Sequence, residues 1–210
     1  HDHPDCFPTM EDYLHAFENF INRAVPNGKT ILCGDDPGVA ALMKRDLRTD
    51  IALITYGFSE DCDYRISDYA WDGSASHFSL TRVKSHRAPE KLGEFALRLP
   101  GKHNVANAAA ALTVVDVLGG SPADCAPSLA EYAGTERRFE IVFESAGEVL
   151  INDYGHHPTQ VRATLSAARD LFPHKKIWAV WEPHTFTRTE TLKAEFARAL
   201  SLAARNDYEG

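Results

Sequence analysis

The chain has 210 residues, 44% hydrophobic and 25% charged, enough for one large or two modest cores in a soluble globular protein. A formal net charge of −8 argues against general binding to nucleic acid, which draws on surplus lysine and arginine, so any phosphate bound here has to be held locally. The most apolar window, 105–118, is broken by Asn107 and Asp116 and is shorter than the ~20 residues of a membrane-crossing helix, so no membrane insertion is expected. Cys6, Cys33, Cys62 and Cys125 form no C-x-x-C pair, which points to neither zinc knuckle nor disulfide framework and makes a reducing cytoplasm the expected compartment.

In chain order, residues 11–24 carry Tyr13, Leu14, Phe17, Phe20 and Ile21 at i, i+1, i+4, i+7 and i+8, which predicts an amphipathic helix. A strand at 30–35, a short helix at 38–44 and a strand at 51–58 follow as alternating α/β. From Asp63 to Leu99 the period shortens to two, with a turn signal at Asp72-Gly73, and predicts a small antiparallel β insert. An alanine-rich helix at about 104–118 and a second at 122–132 close this part, with Gly134-Thr135 as linker. Beyond it come strands at 139–143 and 149–152, a helix carrying Val161, Leu165, Ala168 and Phe172, a strand at 176–181 and a helix carrying Leu192, Phe196 and Leu200. That order predicts a parallel, right-handed βαβα unit. The fold class is α/β, with domains at 1–134 and 135–210.

Three stretches carry chemistry. Gly101-Lys-His-Asn-Val-Ala-Asn opens the alanine-rich helix with His103, Asn104 and Asn107 at its mouth. Asn104 suits the N-cap, and the free N–H groups of the first turn attract acceptor-rich or anionic ligands. An ordinary capped helix in a tight interface is the other reading of the same spacing. The remaining two stretches, Asp153-Tyr-Gly-His-His-Pro158 and Glu182-Pro-His-Thr-Phe-Thr-Arg-Thr189, follow strands 149–152 and 176–181. Both loops therefore lie at strand carboxyl ends, where open α/β sheets bind ligands, and helix N-termini expected at Pro158 and near Thr189 add two dipole ends. This brings Asp153, Tyr154, His156, His157, His184 and Arg188 to one crevice. Arg188 suits a carboxylate, and Asp153 suits ribose hydroxyls. The bland alternative has Asp153 capping a turn, His157 as a loop residue and Arg188 as a solvated charge. A zinc site drawn from His3, His156, His157, His184, Asp153 and Glu182 lacks zincin spacing and has Arg188 beside it.

Asn27-Gly28-Lys29-Thr30 imitates the end of a P-loop. Arg23 stands where that motif needs its first glycine, and the segment precedes a strand rather than opening a helix, so it is read as a turn.

GKHNVANAAAAL at 101–112 resembles the G-x-H-N-x-x-N-x-x-A-A signature of the Mur ligase family, and INDYGHHPTQV (151–161) and EPHTFTRTETL (182–192) are similar to further segments of it. The resemblance runs from HDHPD at the start to the last helix. It implies part of a central ATPase domain with the antiparallel insert, then the first βαβα units of a Rossmann-like C-terminal domain, in an internal piece whose true P-loop and UDP-sugar domain lie upstream. The implied activity is ATP- and Mg2+-dependent addition of L-alanine to UDP-N-acetylmuramate. A sister ligase that attaches a recycled tripeptide and a noncatalytic nucleotide-binding module are the alternatives. By the same resemblance His103, Asn104, Asn107 and Asp153 face ATP, while Tyr154, His156, His184 and Arg188 face the amino acid. Arg137 and Arg138 lie at the hinge, where at least one reaches the nucleotide, and His3 holds magnesium. Thr185 departs from the pattern, because many members carry arginine there.

Overall fold

Thr9 Oγ1 accepts from the Asp12 amide at 3.1 Å while the Asp12 carboxylate takes the Thr9 amide at 3.0 Å, and this capping box starts α1 (Met10–Asn22). The helix belongs to the larger of two units in the computed structural model, which describes residues 2–83, 88–145 and 147–204. The larger unit is Pro8–Arg98 with Lys102–Tyr132; the smaller is His1–Phe7 with Leu99–Gly101 and Ala133–Gly210.

The larger unit continues with β1 (Lys29–Cys33), α2 (Pro37–Leu42), β2 (Ala52–Gly57), β3 (Tyr64–Trp71), β4 (Ser76–Arg82), β5 (Glu90–Leu97), α3 (Lys102–Val117) and α4 (Ala126–Glu131). One sheet takes the strands in order β1-β2-β3-β4-β5. The expected antiparallel insert is therefore not separate. β3, β4 and β5 are antiparallel to one another, but β3 lies parallel to β2 and extends the parallel β1–β2 pair. A parallel neighbour reached through only six residues is possible because the strands overlap at two pairs, Tyr56↔Tyr64 and Gly57↔Arg65. Asp63 secures that junction, since its carboxylate accepts from the Thr55 amide at 2.7 Å and the Thr55 hydroxyl at 2.8 Å.

At the ends of β1 and β2, Asp35 accepts from the Phe58 and Ser59 amides at 2.7 and 2.9 Å. Gly57 makes room for it, because a Cβ there would stand 2.6 Å from the carboxylate. α3 buries Val105, Ala108, Ala109, Leu112 and Thr113, and Leu80 of β4 is fully buried. The far end of the helix is tethered by Asp116, which accepts from Tyr64 Oη at 2.6 Å and Arg82 Nη1 at 2.7 Å. Burial, then the bond to Asp116, pushes the Tyr64 hydroxyl up to about 12.

The smaller unit holds β6 (Glu140–Glu144), β7 (Val149–Asn152), α5 (Pro158–Leu171), α6 (Phe186–Thr191) and α7 (Lys193–Leu200). Val161, Leu165, Phe196 and Ala199 form its core, with Trp181 stacked on Phe196 at 4.4 Å. β6 and β7 pair as an antiparallel hairpin, whereas residues 176–181, expected as a strand parallel to 149–152, have no ladder partner among the described residues. Ile177 and Trp181 pack inward, whereas Trp178 and Val180 are 80% and 98% exposed. The segment keeps a strand's alternation without a neighbour to bond to. Among the described residues no helix is long and apolar enough to cross a membrane.

Candidate active site

Gly101, at φ +94°, turns the chain directly into α3, so the helix begins at Lys102. Asn104 is thus inside the first turn and not the N-cap expected from sequence. His103 and Asn104 are partly buried there, and Asn107 is exposed one turn on. Lys102 was not singled out by its sequence. Its ammonium lies 5.4 Å from the Phe58 ring centre and 5.8 Å from that of Tyr69, which fixes a cation beside the helix mouth.

In the smaller unit Asp153 to His157 form the first expected loop, whereas the second is shorter than expected, because Phe186 to Arg188 already belong to α6. Asp153 ties the first loop to the segment before β6: Oδ2 accepts from the Phe139 amide at 2.9 Å and Oδ1 from the Gly155 amide at 2.7 Å. The Tyr154 amide donates to the Arg137 carbonyl at 2.7 Å, and the Arg137 and Arg138 guanidinium carbons lie 4.7 and 5.7 Å from the Tyr154 ring centre. Arg137, Arg138 and Tyr154 are therefore one cluster. His156 stands edge-on to Tyr154 at 5.0 Å, and its Nδ1 is 3.1 Å from the Tyr154 carbonyl.

Arg188 is the deepest charge of the site, 3% exposed. The reading of it as a solvated first-turn charge fails. Its Nε donates to Asp2 Oδ1 at 2.7 Å, Nη1 reaches the His184 carbonyl at 3.4 Å, and Nη2 lies 3.4 Å from His3 Nε2. The other Asp2 oxygen is 3.7 Å from His3 Nε2 and 3.9 Å from His156 Nε2. Burial raises the Asp2 carboxyl, but the bonds from Arg188 and the His3 amide outweigh it and hold the group below the ordinary carboxylate value. The His184 side chain is exposed and only its carbonyl joins the cluster. α6 starts at Phe186 and has six residues, so the dipole end expected near Thr189 does not form there.

His157 is the N-cap of α5. Its Nδ1 accepts from the Thr159 amide at 3.2 Å, and Gln160 Oε1 accepts in turn from the His156 and His157 amides at 3.0 and 3.2 Å. Burial, reinforced by Arg188 and His156 and opposed by Asp2, lowers the His157 imidazole below its ordinary value. Gln160 and Asp2 were missed in the sequence. The His-x-x-Gln spacing of a capping box would have found the first; nothing local marks Asp2 as a partner of a residue 186 positions away.

Among the described residues no three His, Cys, Asp or Glu side chains are grouped to hold a metal ion. Around His3 the donors are one imidazole and one carboxylate with a guanidinium alongside, which does not fit an oxygen-seeking magnesium ion.

Two family models match the chain: the Mur ligase middle domain over residues 1–115 and the Mur ligase glutamate ligase domain over residues 137–206. The chain belongs to the Mur ligase family. Among curated relatives, the UDP-N-acetylmuramate–L-alanine ligase of Lawsonia intracellularis is 41% identical over 95% of this chain and 42% of its own length. The ligase of the same name from Kineococcus radiotolerans is 40% identical over 96% of this chain and 41% of its own. The crystal structure of UDP-N-acetylmuramate–alanine ligase from Thermotoga maritima aligns with a TM-score of 0.68 at 26% identity, over 96% of this chain and 41% of that one. The chain thus spans about two-fifths of the length of these relatives.

Proposed function

We propose that this chain is part of a cytoplasmic, ATP-dependent amide ligase that joins L-alanine to UDP-N-acetylmuramate. The observation that supports the reading is the carboxylate of Asp2 seated on Arg188 amid His3 and His156, a contact of the kind an amino-acid carboxylate would make with the same guanidinium. The names of the relatives support the choice of substrates.

On this reading the muramate carboxylate attacks the γ-phosphorus of ATP and releases ADP. The amine of L-alanine then attacks the acyl carbon and releases phosphate, leaving an amide. Positioning and electrostatics supply most of the catalysis in such transfers. Arg188 takes the alanine carboxylate, with Tyr154, His156 and His184 around the amino acid. His103, Asn104 and Asn107 face the nucleotide at the mouth of α3, aided by the Lys102 charge. Asp153 serves the ribose through lone pairs beyond those used by Phe139 and Gly155, and Arg137 and Arg138 approach the phosphates. The resemblance assigns magnesium to His3, but the imidazole, carboxylate and guanidinium there do not make a magnesium site by themselves, so an ion would have to draw its oxygen ligands from substrate. Domains at 1–134 and 135–210 are part of the same proposal.

A tripeptide as amine donor is the second reading, favoured by the small Thr185 where many members carry arginine. ADP release by the full-length protein, with UDP-N-acetylmuramate and either L-alanine or a murein tripeptide, tests both. Release that depends on L-alanine is expected. Release only with the tripeptide selects the second reading, and release with neither leaves a nucleotide-binding module.

A further inference from the structure

The family segment 1–115 contributes Asp2 and His3, and the segment 137–206 contributes Arg188, yet all three belong to one compact unit. Their geometry has a consequence for any ligand of Arg188. The guanidinium is almost wholly buried, its Nε is committed to Asp2 and its Nη1 turns back to the carbonyl of its own loop. An incoming carboxylate that used the Nε edge of the guanidinium would therefore meet Asp2 already there. The Asp2 carboxylate is chemically the same group as the end of an amino acid, and it is 21% exposed, so it can leave toward water.

We propose that Asp2 sets the affinity of the amino-acid site by competing with the substrate carboxylate for Arg188. The inference rests on the reading of Arg188 as the amino-acid carboxylate contact. Binding then exchanges one carboxylate for another on the same guanidinium, and the substrate gains only the difference between the two. His3 and His156 supply the place to which the displaced Asp2 turns, because its second oxygen already lies between their Nε2 atoms. Asparagine at position 2 keeps the shape, removes the charge and weakens the competitor, whereas glutamate keeps the charge.

The test is the dissociation constant of radiolabelled L-alanine from the full-length protein, by equilibrium dialysis with UDP-N-acetylmuramate and a non-hydrolysable ATP analogue present. Asp2→Asn is expected to tighten binding roughly tenfold, the worth of one charge-assisted hydrogen bond no longer contested, and Asp2→Glu to leave it near the parent value. In an Arg188→Ala background the gain should vanish. Unchanged or weaker binding by Asp2→Asn overturns the competition and makes Asp2 a support for Arg188. If Arg188→Ala alone leaves the affinity unchanged, the amino-acid reading of Arg188 fails first, and the competition with it. A measurement on the unsubstituted protein guards against misfolded variants: the Arg188 Nε–H nuclear magnetic resonance should move on saturation with L-alanine and stay in place with L-alaninamide. An unmoved resonance with L-alanine overturns the proposal.

Discussion

The two units place backbone strain in opposite ways. Among the described residues, the non-glycine ones at positive φ are, in the larger unit, Asn27 and Asp68, types whose short polar side chains tolerate the left-handed region, one in the turn before β1 and one at the β3 irregularity. In the smaller unit they are His3, Arg137, Phe139 and Thr185, at φ 54°, 58°, 50° and 66°. Arg137, Phe139 and Thr185 are types that rarely adopt it, and all four belong to or adjoin the cluster of Asp153, Tyr154 and Arg188. The larger unit is a packed platform, and the smaller one holds its polar groups on backbone that the surrounding bonds over-determine. Tyr154 and Phe139, each bonded through its amide to the opposing segment, show how that is done.

Leu80→Ala in β4 deletes a fully buried side chain and should cost about 2 to 5 kcal/mol, read as a denaturant midpoint shift at constant slope. A cost under about 1 kcal/mol would mean that packing does not hold the larger unit. The strain side is sharper. Thr185→Gly and Arg137→Gly each remove roughly 1 to 3 kcal/mol of strain against about 0.5 to 1 kcal/mol for glycine's extra freedom when unfolded, so each should stabilise by about 1 kcal/mol. Asn27→Gly should change stability by only a few tenths. Equal effects at all three positions would erase the distinction between the units.

The smallest effect is a pH dependence. His157 is lowered in the fold, so the unfolded chain binds the proton more readily, and the stability from the neutral cap is present above about 6.5 and fades as pH falls through the lower folded value. Asp2, Arg188 and His156 face the ring and modulate the shift. Melting curves at pH 7.5 and 5.5 should draw together in His157→Asn, which keeps an N-cap without a titrating ring. An undiminished gap would assign the dependence to another group.

Local periodicity made most elements legible. The stripe of α1, the alternation of β3 to β5 and the spacing of Val161, Leu165 and Ala168 in α5 are each set by residues within two turns or one strand. The ladder was not legible, because 176–181 alternates like a strand while pairing depends on a neighbour far away in sequence. The site divided along the same line. Its members were visible as two polar loops and the mouth of α3, and INDYGHHPTQV and GKHNVANAAAAL point to the family that the models match. The bond between Asp2 and Arg188 was hidden, since burial turned an apparent surface arginine into an interior one.

Position 57 governs more than its own turn. A methyl group there would displace Asp35 and free the Phe58 and Ser59 amides that the carboxylate holds. Phe58 is half of the aromatic seat beneath the Lys102 ammonium, so the electric field at the mouth of α3 is inherited from a residue that has no side chain. Drift at Gly57 would shift the Lys102 charge at the mouth of α3 while every residue of the GKHNVAN motif kept its identity.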